Sequence, residues 1–432
     1  MENVNIGLIG FGTVGTGLVK ALKEKSSYLK RKLGIELNLK KICDKDIASP
    51  RSVKVEEGLL TTNVDEVLND PQIKIIVELI GGIHPAKEYI IKALENGKDV
   101  VTANKALLAE SWQEIFRVAC NCSREVYFEA SVGGGIPIIK ALREGLISNE
   151  LEGLFGIVNG TSNYILTQME EKELDFKDAL KEAQDKGYAE KDPSLDVKGI
   201  DSAHKLAILA SLGFGKSIKF DDIYVEGIQD ISLRDIVYAR EFNCKIKLLA
   251  IAKRERDELE VRVHPTLVPI SHPLSTVKGP FNAIFIKGDL VGEQLFYGQG
   301  AGAQPTSSAI ISDIVDLALR ASESKRAWAC NLEYGSRIKG VKNIDEIETR
   351  YYMRFSAIDR PGVLAAIAGA LGKNGISIAS VIQKDRMKEQ IVPIVLLSHE
   401  ANERSLRAAL NEIDNLPMIK RKSVAIRMEK DL

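Results

Sequence analysis

The sequence predicts an α/β protein with three parts: a Rossmann dinucleotide-binding domain, an α+β substrate domain and a C-terminal ferredoxin-like module. Three observations predict this fold class. A glycine-rich loop lies between a strand and a helix at the N-terminus, strand and helix patterns alternate through the first half, and the last segment has the order βαββαβ. A chain of 432 residues is long enough for two or three domains.

The first element is a short apolar strand, VNIGLIG, which runs into the loop GFGTVG and then the helical pattern LVKALKEK. In such a loop the first glycine makes the tight turn, the second lets a pyrophosphate approach the backbone, and the third lets helix and strand pack closely. The helix N-terminus offers free N–H groups to phosphates. The residues predicted to contact a dinucleotide here are Gly10, Phe11, Gly12, Thr13, Val14 and Gly15.

The second strand, LNLKKIC, ends just before Asp44, where an acid usually binds the ribose 2′-hydroxyl of NAD. However, Lys41, Lys45 and Arg51 surround this position, and cations suit the 2′-phosphate of NADP. The spacing from Gly15 to Asp44 is also longer than the usual ~20 residues. The sequence therefore leaves NAD and NADP open.

Two further strand–helix units follow, IKIIVELIGG with HPAKEYIIKALENGK, and DVVT with ANKALLA. Ligands of open α/β sheets lie outside the carboxyl ends of the strands, which is where Lys105 falls. The simpler interpretation is a solvated lysine, but the helix dipole disfavours a cation at a helix start. We therefore favour a functional Lys105.

The middle of the chain continues with EVYFEASVGGGIPIIKALREG and LEGLFGIVNGTSNYILTQM, each a strand, a loop and a helix. A second sheet is predicted from DIYVEGI, KIKLLAIAKRER, LEVRVHPTLV and FNAIFIKG. The segment YGQGAGAQPTSSAIISDIVDLAL then predicts a glycine loop, a helix cap at Thr306 and Ser307, and a helix that returns to complete the first domain.

The segment from Ala183 to Lys205 concentrates charge directly before the apolar helix pattern LAILASLGFG. Its acids are Glu190, Asp192, Asp196 and Asp201. A helix that is apolar on every face is buried, so Asp201 and Lys205 share one face at the entrance of a buried helix. Burial of these charges costs free energy unless they pair or meet a polar ligand. The alternatives are an i,i+4 ion pair or a polar pocket that binds an amino acid and transfers a proton.

The last segment forms a separate module with a turn at Asp359–Gly362 and Asn374-Gly375 at the end of the following helix. Exposed backbone at that turn predicts a site for a small ligand. A sheet that pairs two chains is the alternative, and the two roles are compatible.

Composition excludes several classes of partner. The net charge is −1 with interspersed acids and bases, so neither nucleic acid nor an anionic membrane is indicated. No apolar run approaches the ~18 residues of a membrane span, and the N-terminus reads as a folded strand without a signal-peptide pattern. Five cysteines without metal-site spacing are interpreted as reduced thiols of a cytoplasmic protein.

The chain resembles the homoserine dehydrogenases that carry a C-terminal ACT domain, and the resemblance extends over essentially its whole length. The Ala183–Lys205 segment and the motifs GFGTVG, TANKALLA, VNGTSNYIL and GAGAQPTSSA carry the resemblance. It implies reversible NAD(P)H-dependent reduction of L-aspartate 4-semialdehyde to L-homoserine, on the branch towards threonine, isoleucine and methionine. It also implies a Rossmann domain at 1–130 completed by 303–325, a substrate-binding and dimerisation domain at 131–302, and an ACT domain at 350–428.

The resemblance also implies roles for single residues. Lys205 would be the catalytic proton donor, Lys105 would lie by the nicotinamide, and Gly302 in the loop that closes over the cofactor. The substrate pocket would comprise Gly187, Glu190 and Asp201, with Asp196 in support. A sodium site would comprise Glu129 with the carbonyls of Val132, Gly134 and Ile136. An L-threonine effector would bind near Asp359, Gly362 and Asn374 in a homodimer or homotetramer.

Two alternatives remain at this stage. Another semialdehyde or amino-acid dehydrogenase of the same fold is one, although the phosphorylating kind needs a nucleophilic cysteine and none has a recognisable context here. A non-enzymatic amino-acid sensor is the other. The intact glycine loop and Lys205 argue against it.

Overall fold

Two β-sheets organise the protein. The structure is a computed structural model that describes residues 2–56, 58–320, 337–384 and 390–429. One sheet has six strands and the other twelve. The first holds the glycine loop, and the second runs from the middle of the chain into the C-terminal module.

The first sheet is parallel throughout, with strand order β3-β2-β1-β4-β5-β6. Its strands are β1 (Glu2–Ile9), β2 (Ile35–Cys43), β3 (Leu60–Thr61), β4 (Ile75–Glu78), β5 (Asp99–Thr102) and β6 (Val126–Tyr127). Its helices are α1 (Thr13–Leu33), α2 (Asp65–Leu68), α3 (Ala86–Glu95) and α4 (Lys105–Asn121). The order reverses between β1 and β4, the position at which such sheets bind dinucleotides. The predicted Rossmann fold is confirmed.

The middle of the chain forms the first part of the second sheet and the helices that cover it. Its helices are α5 (Ile138–Lys140), α6 (Gly160–Lys172), α7 (Phe176–Asp185), α8 (Ser194–Val197), α9 (Ile200–Phe214) and α10 (Leu233–Glu241). Its strands are β7 (Leu151–Ile157), β8 (Tyr224–Val225), β9 (Cys244–Glu255), β10 (Glu258–Pro269), β11 (Phe281–Gly288) and β12 (Gly292–Gln299). Antiparallel pairing gives the order β12-β11-β7-β9-β10.

Helix α11 (Ala303–Arg320) returns to the first sheet. Its residues Ile310, Ile314 and Leu317 are buried in one core with Ile6 and Leu8 of β1. The predicted cap at Thr306 and Ser307 is wrong, because α11 already begins at Ala303 and the Ser307 hydroxyl donates to the Ala303 carbonyl at 2.6 Å. Residues 321–325 of the predicted return lie outside the described residues.

The C-terminal module has the predicted βαββαβ order. That order consists of β14 (Glu348–Ile358), α12 (Val363–Lys373), β15 (Ile378–Ile382), β16 (Ile391–Ser398), α13 (Glu403–Asp414) and β18 (Ile419–Met428). Two further strands have two residues each: β13 (Gly340–Val341) precedes the module and pairs with β10, and β17 (Ala401–Asn402) lies between β16 and α13 and pairs with β14. The strand order β18-β14-β16-β15 is antiparallel. In addition, β18 pairs in parallel with β10, where Thr266 lies opposite Arg427. The module's sheet therefore continues the sheet of the middle domain.

A buried polar seam joins the module to the middle domain. Arg427 of β18 donates to Glu226 at 2.8 Å and to Glu403 at 2.6 Å. Arg354 of β14 donates to Asp235 of α10 at 2.7 Å. Removing one partner of a buried ion pair leaves an unpaired charge, which is strongly destabilising.

The cysteine prediction needs a correction. Cys43, Cys122 and Cys244 are free thiols, but Cys120 is disulfide-bonded, so the expectation of five reduced thiols is wrong for Cys120. Cys330 lies outside the described residues. A disulfide requires two Cβ atoms within about 4.5 Å, which depends on the fold and not on spacing in the sequence. Within the described ranges, no helix has both the length and the apolar character to cross a bilayer.

Candidate active site

Asp201 lies between two lysines at the start of α9. Its Oδ2 is 2.7 Å from Lys205 Nζ, one helical turn along, and its Oδ1 is 3.2 Å from Lys105 Nζ at the start of α4. Lys205 also donates to the Val158 carbonyl at 2.6 Å. The Asp201 and Lys205 side chains are only 10% and 11% exposed, whereas Lys105 is 40% exposed. The predicted i,i+4 pair is thus part of a three-member cluster.

Opposing effects determine the charge of Asp201. Burial alone would raise its pKa, but the ammonium groups of Lys205 and Lys105 outweigh burial and hold the pKa well below its usual range. Hydrogen bonds from Lys205 and Asn159 act in the same direction. One carboxylate therefore faces two cations, and the cluster has excess positive charge for an oxyanion.

Asn159 joins Asp201 to Asp196, a second acid of the charged segment. Its Nδ2 donates to Asp196 Oδ1 at 2.6 Å and to Asp201 Oδ2 at 2.8 Å. Burial raises the pKa of Asp196, and the hydrogen bond from Asn159 partly opposes that increase. Asn159 was not predicted as a site residue, although it lies in the VNGTSNYIL motif, in a small polar turn that directly follows a strand. That position was a signal that could have identified it.

The other predicted pocket residues, Gly187 and Glu190, make different contacts. Glu190 is exposed after α7, and its backbone carbonyl accepts from Gln184 Nε2 at 3.2 Å. Gly187 has φ +74°, and its N–H donates to the Gln184 carbonyl at 3.0 Å. The structure thus joins Asp196 and Asp201 through Asn159, while the roles of Gly187 and Glu190 stay predictions.

The glycine loop has the geometry that a dinucleotide needs. Gly10 has φ +105°, and a side-chain carbon there would lie 2.7 Å from the Leu79 backbone. A carbon on Gly15 would collide with the Gly10 carbonyl oxygen. The space beside Gly12 is open to at least 4 Å, and Gly12 is the N-cap of α1, which begins at Thr13. Phosphate oxygens can therefore approach the backbone at Gly12.

The structure also arranges the residues that would select the cofactor. Asp44 Oδ2 accepts from the Phe11 N–H, so this acid touches the glycine loop. Arg51 Nε donates to the Phe11 carbonyl at 2.8 Å, and its guanidinium lies over the Phe11 ring. Lys41 instead pairs with Glu66 at 3.4 Å. A cleft of about 620 Å³ next to the loop is lined in part by Arg51 and Gln304.

The predicted sodium residues lie in a loop beneath α11. The Glu129 carboxylate accepts from the N–H groups of Ile139 and Lys140, each at 2.8 Å, and burial raises its pKa. Gly134 packs against the backbone of Gly300, which brings this loop next to the segment of Gly302. Among the described residues, no group of three or more His, Cys, Asp or Glu side chains could hold a metal ion. Val132 is extended and buried, and Ile136 N–H donates to the Gly133 carbonyl at 3.0 Å.

The predicted effector residues lie at two ends of one helix. Gly362, with φ +87°, is the exposed N-cap of α12, and the Asp359 N–H before it donates to Gln390 at 2.9 Å. Asn374 is the C-cap, with Nδ2 donating to Ala370 at 2.8 Å. The helix has 11 residues, which span about 16 Å. One small amino acid therefore cannot touch both ends within a single module.

Family models match three successive parts of the chain. Residues 10–129 match the NAD binding domain of homoserine dehydrogenase, residues 137–315 match homoserine dehydrogenase, and residues 351–417 match the ACT domain. A homoserine dehydrogenase from Neisseria gonorrhoeae is 42% identical, and the match covers 99% of each chain.

Solved structures agree with this match. The crystal structure of a homoserine dehydrogenase from Thiobacillus denitrificans is 42% identical, covers 99% of both chains and superposes with a TM-score of 0.91. A hyperthermophilic archaeal homoserine dehydrogenase in complex with NADPH is 29% identical, with a TM-score of 0.63, and the match covers 74% of this chain and 98% of that one. Because relatives match from end to end at such identity, this chain belongs to the homoserine dehydrogenase family of NAD(P)-dependent oxidoreductases that act on CH–OH groups.

Proposed function

We propose that Lys205 is the proton donor in the NAD(P)H-dependent reduction of L-aspartate 4-semialdehyde to L-homoserine. The observation that carries this proposal is the buried Asp201 between Lys205 and Lys105. Of the two lysines, Lys205 is the more enclosed and is held by two acceptors. Lys105 is more exposed and follows the carboxyl end of β5. It would lie where the nicotinamide meets the substrate.

The chain's own groups account for the charge changes of the reaction. When bound, the dinucleotide supplies a hydride to the aldehyde carbon. Negative charge then develops on the carbonyl oxygen, and the Lys205 ammonium stabilises that charge and donates a proton to it. Asp201 orients the lysine, because its Oδ2 accepts a hydrogen bond from Lys205 Nζ at 2.7 Å. The substrate ammonium requires carboxylates, which Asp196 and Glu190 would provide.

The residues present fit a dinucleotide without fixing its kind. The open backbone at Gly12 accepts a pyrophosphate, Asp44 suits the hydroxyl of NAD, and Arg51 suits the phosphate of NADP. The archaeal relative binds NADPH. We therefore expect this chain to use both cofactors.

Three finer assignments belong to the same proposal. A sodium ion would bind the backbone carbonyls of Val132, Gly134 and Ile136 beside Glu129, because hard cations prefer oxygen donors. It would take no part in the proton transfer. L-threonine would bind at the exposed Gly362 turn of paired ACT modules in a homodimer or homotetramer. The chain would work in the cytoplasm.

Replacement of Lys205 by alanine tests the catalytic role. We expect Lys205→Ala to lower kcat by at least ~100-fold, the low end for general acid catalysis, while the dissociation constant of NADPH stays within a few-fold. Lys198→Ala, an exposed lysine one residue before the N-cap of α9, is the matched control. Turnover within a few-fold of wild type for Lys205→Ala would move the proton-transfer role to Lys105.

A further inference from the structure

Every polar atom of the Asn159 side chain is used. Oδ1 accepts from the Ser162 N–H at 2.8 Å and so caps α6. The two N–H groups of Nδ2 bind Asp196 at 2.6 Å and Asp201 at 2.8 Å. The residue is 5% exposed. An amide has two donors and one acceptor atom, so all of its groups are engaged.

Capping explains only half of this arrangement. The N-cap role needs one side-chain oxygen, which serine or aspartate supplies as well as asparagine. The amino group does something else, because it binds two carboxylates that belong to different helices, α8 and α9. Two nearby carboxylates repel each other, and the charge of Asp201 contributes to the raised pKa of Asp196. A neutral group with two donors joins them without adding charge.

The same turn also fixes the ammonium of Lys205. Asp201 Oδ2 accepts from both Asn159 and Lys205, and the carbonyl of Val158, the residue before Asn159, accepts a second Lys205 hydrogen at 2.6 Å. A lysine ammonium has three hydrogens. Among contacts with the described residues, two are engaged by these acceptors and the third can face a substrate oxygen.

We propose that Asn159 is a positioning residue of the active site: its amino group clamps Asp196 and Asp201 together, so that Asp201 holds Lys205 with one hydrogen directed to the substrate. This inference rests on the proposed function, since it acts through Lys205 and Asp201. Asn159 itself touches neither substrate nor cofactor in this mechanism.

Substitution of serine at position 159 separates the clamp from the cap. Asn159→Ser keeps a capping oxygen but is too short to reach the two acids. Hydrogen bonds to charged groups are among the stronger ones, so we expect kcat/KM for L-homoserine to fall by about 10- to 100-fold, with NADP⁺ affinity within about two-fold of wild type. The control is Asn402→Ser, the same change at the N-cap of α13, where the side chain accepts from Arg404 N–H.

The pH profile distinguishes positioning from a purely structural role. The groups that act on Asp196 are Asp201 and Lys205 of α9, with Asn159 and Thr161 beside them. The hydrogen bond from Asn159 lowers the pKa of Asp196. Its loss in Asn159→Ser should therefore raise that pKa and move the acid limb of kcat/KM to higher pH, whereas Asn402→Ser should leave the acid limb unchanged. An unchanged acid limb together with kcat/KM within about two-fold of wild type would overturn the proposal.

A second variant covers the case in which Asn159→Ser does not fold. Asn159→Asp keeps the capping oxygen and places a third carboxylate against Asp196 and Asp201. Its kcat/KM should be low at neutral pH and recover relative to wild type on acidification, because a protonated carboxyl can donate one hydrogen bond. Absence of recovery would overturn the clamp. If wild type and Asn402→Ser do not oxidise homoserine, the proposed function fails instead.

Discussion

At the scale of single residues, Asp201 organises the site, because its buried carboxylate lies 2.7 Å from Lys205 Nζ and 3.2 Å from Lys105 Nζ. The spacing of four residues predicted the contact between Asp201 and Lys205, because helix geometry fixes neighbours at that separation. Lys105 was placed only by its position at the end of a strand. Asn159 lies 42 residues from Asp201 in sequence and meets it through tertiary packing, so the contact between them could not be predicted from local spacing.

Replacement of Asp44 tests the assignment of the cofactor site. Since its carboxylate lies at the glycine loop beside Arg51, Asp44→Ala should relieve repulsion of a 2′-phosphate and shift the ratio of kcat/KM towards NADPH, by about ten-fold for one charged hydrogen bond lost to NADH. Asp65→Ala, an exposed acid paired with Lys92, is the control. A shift towards NADH would show that Asp44 does not face the 2′ position.

Lys247 should make the free energy of unfolding depend on pH in the alkaline range. It is buried on β9, donates to Val277 at 2.5 Å, and burial lowers its pKa to about 8. The unfolded chain binds the Lys247 proton more strongly than the folded chain does, so the free energy of unfolding rises with pH between about 8 and 10.5. Below that window, burial of the charged lysine lowers the free energy of unfolding by an amount of the order of 3 kcal/mol.

The measurement is chemical denaturation of wild type and Lys247→Met across that window. We expect the variant's stability relative to wild type to decrease as pH rises, with half-exposed Lys287→Met as the baseline. A difference that stays constant with pH would mean that Lys247 is not buried in the charged form below pH 8.

At the scale of elements, long periodic segments were predicted and polar or very short ones were not. Helix α1 and the order of the C-terminal module follow from apolar periodicity, and α9 follows from a segment that is apolar on every face. Strand β12 was missed because GEQLFYGQ is an edge strand without a buried face. The start of α11 was placed too late in the chain, because serine and threonine near the start of a helix resemble N-cap residues in a sequence.

The turn before α12 is the element on which regulation would depend. Gly362 is exposed with φ +87°, where valine adds strain and covers the backbone N–H groups. We expect Gly362→Val to raise the L-threonine concentration for half-maximal inhibition by at least about ten-fold while uninhibited activity is unchanged. Gly34→Val, at an exposed glycine with φ +72°, controls for strain. Equal threonine sensitivity in all three proteins would exclude this turn.

At the scale of the whole molecule, the continuous second sheet changes how the C-terminal module should be tested. The predicted bounds, 1–130 with 303–325, 131–302 and 350–428, treat the module as separable. Deleting residues after Asn343 would remove β18 from β10 and leave buried Arg262 without Glu429. We therefore expect such a truncated core to lose stability together with any response. No sequence pattern could predict a pairing between strands about 160 residues apart.

The most direct test of the central claim is a stoichiometric assay of the full chain with L-aspartate 4-semialdehyde. We expect oxidation of NADPH or NADH that depends on the aldehyde, with one mole of L-homoserine formed per mole of cofactor oxidised, and the reverse reaction with L-homoserine. The assignment would be contradicted if the aldehyde caused no oxidation of NADPH or NADH, or if the enzyme instead reduced NADP⁺ or NAD⁺ in a phosphate-dependent reaction that converts the aldehyde to an acyl phosphate.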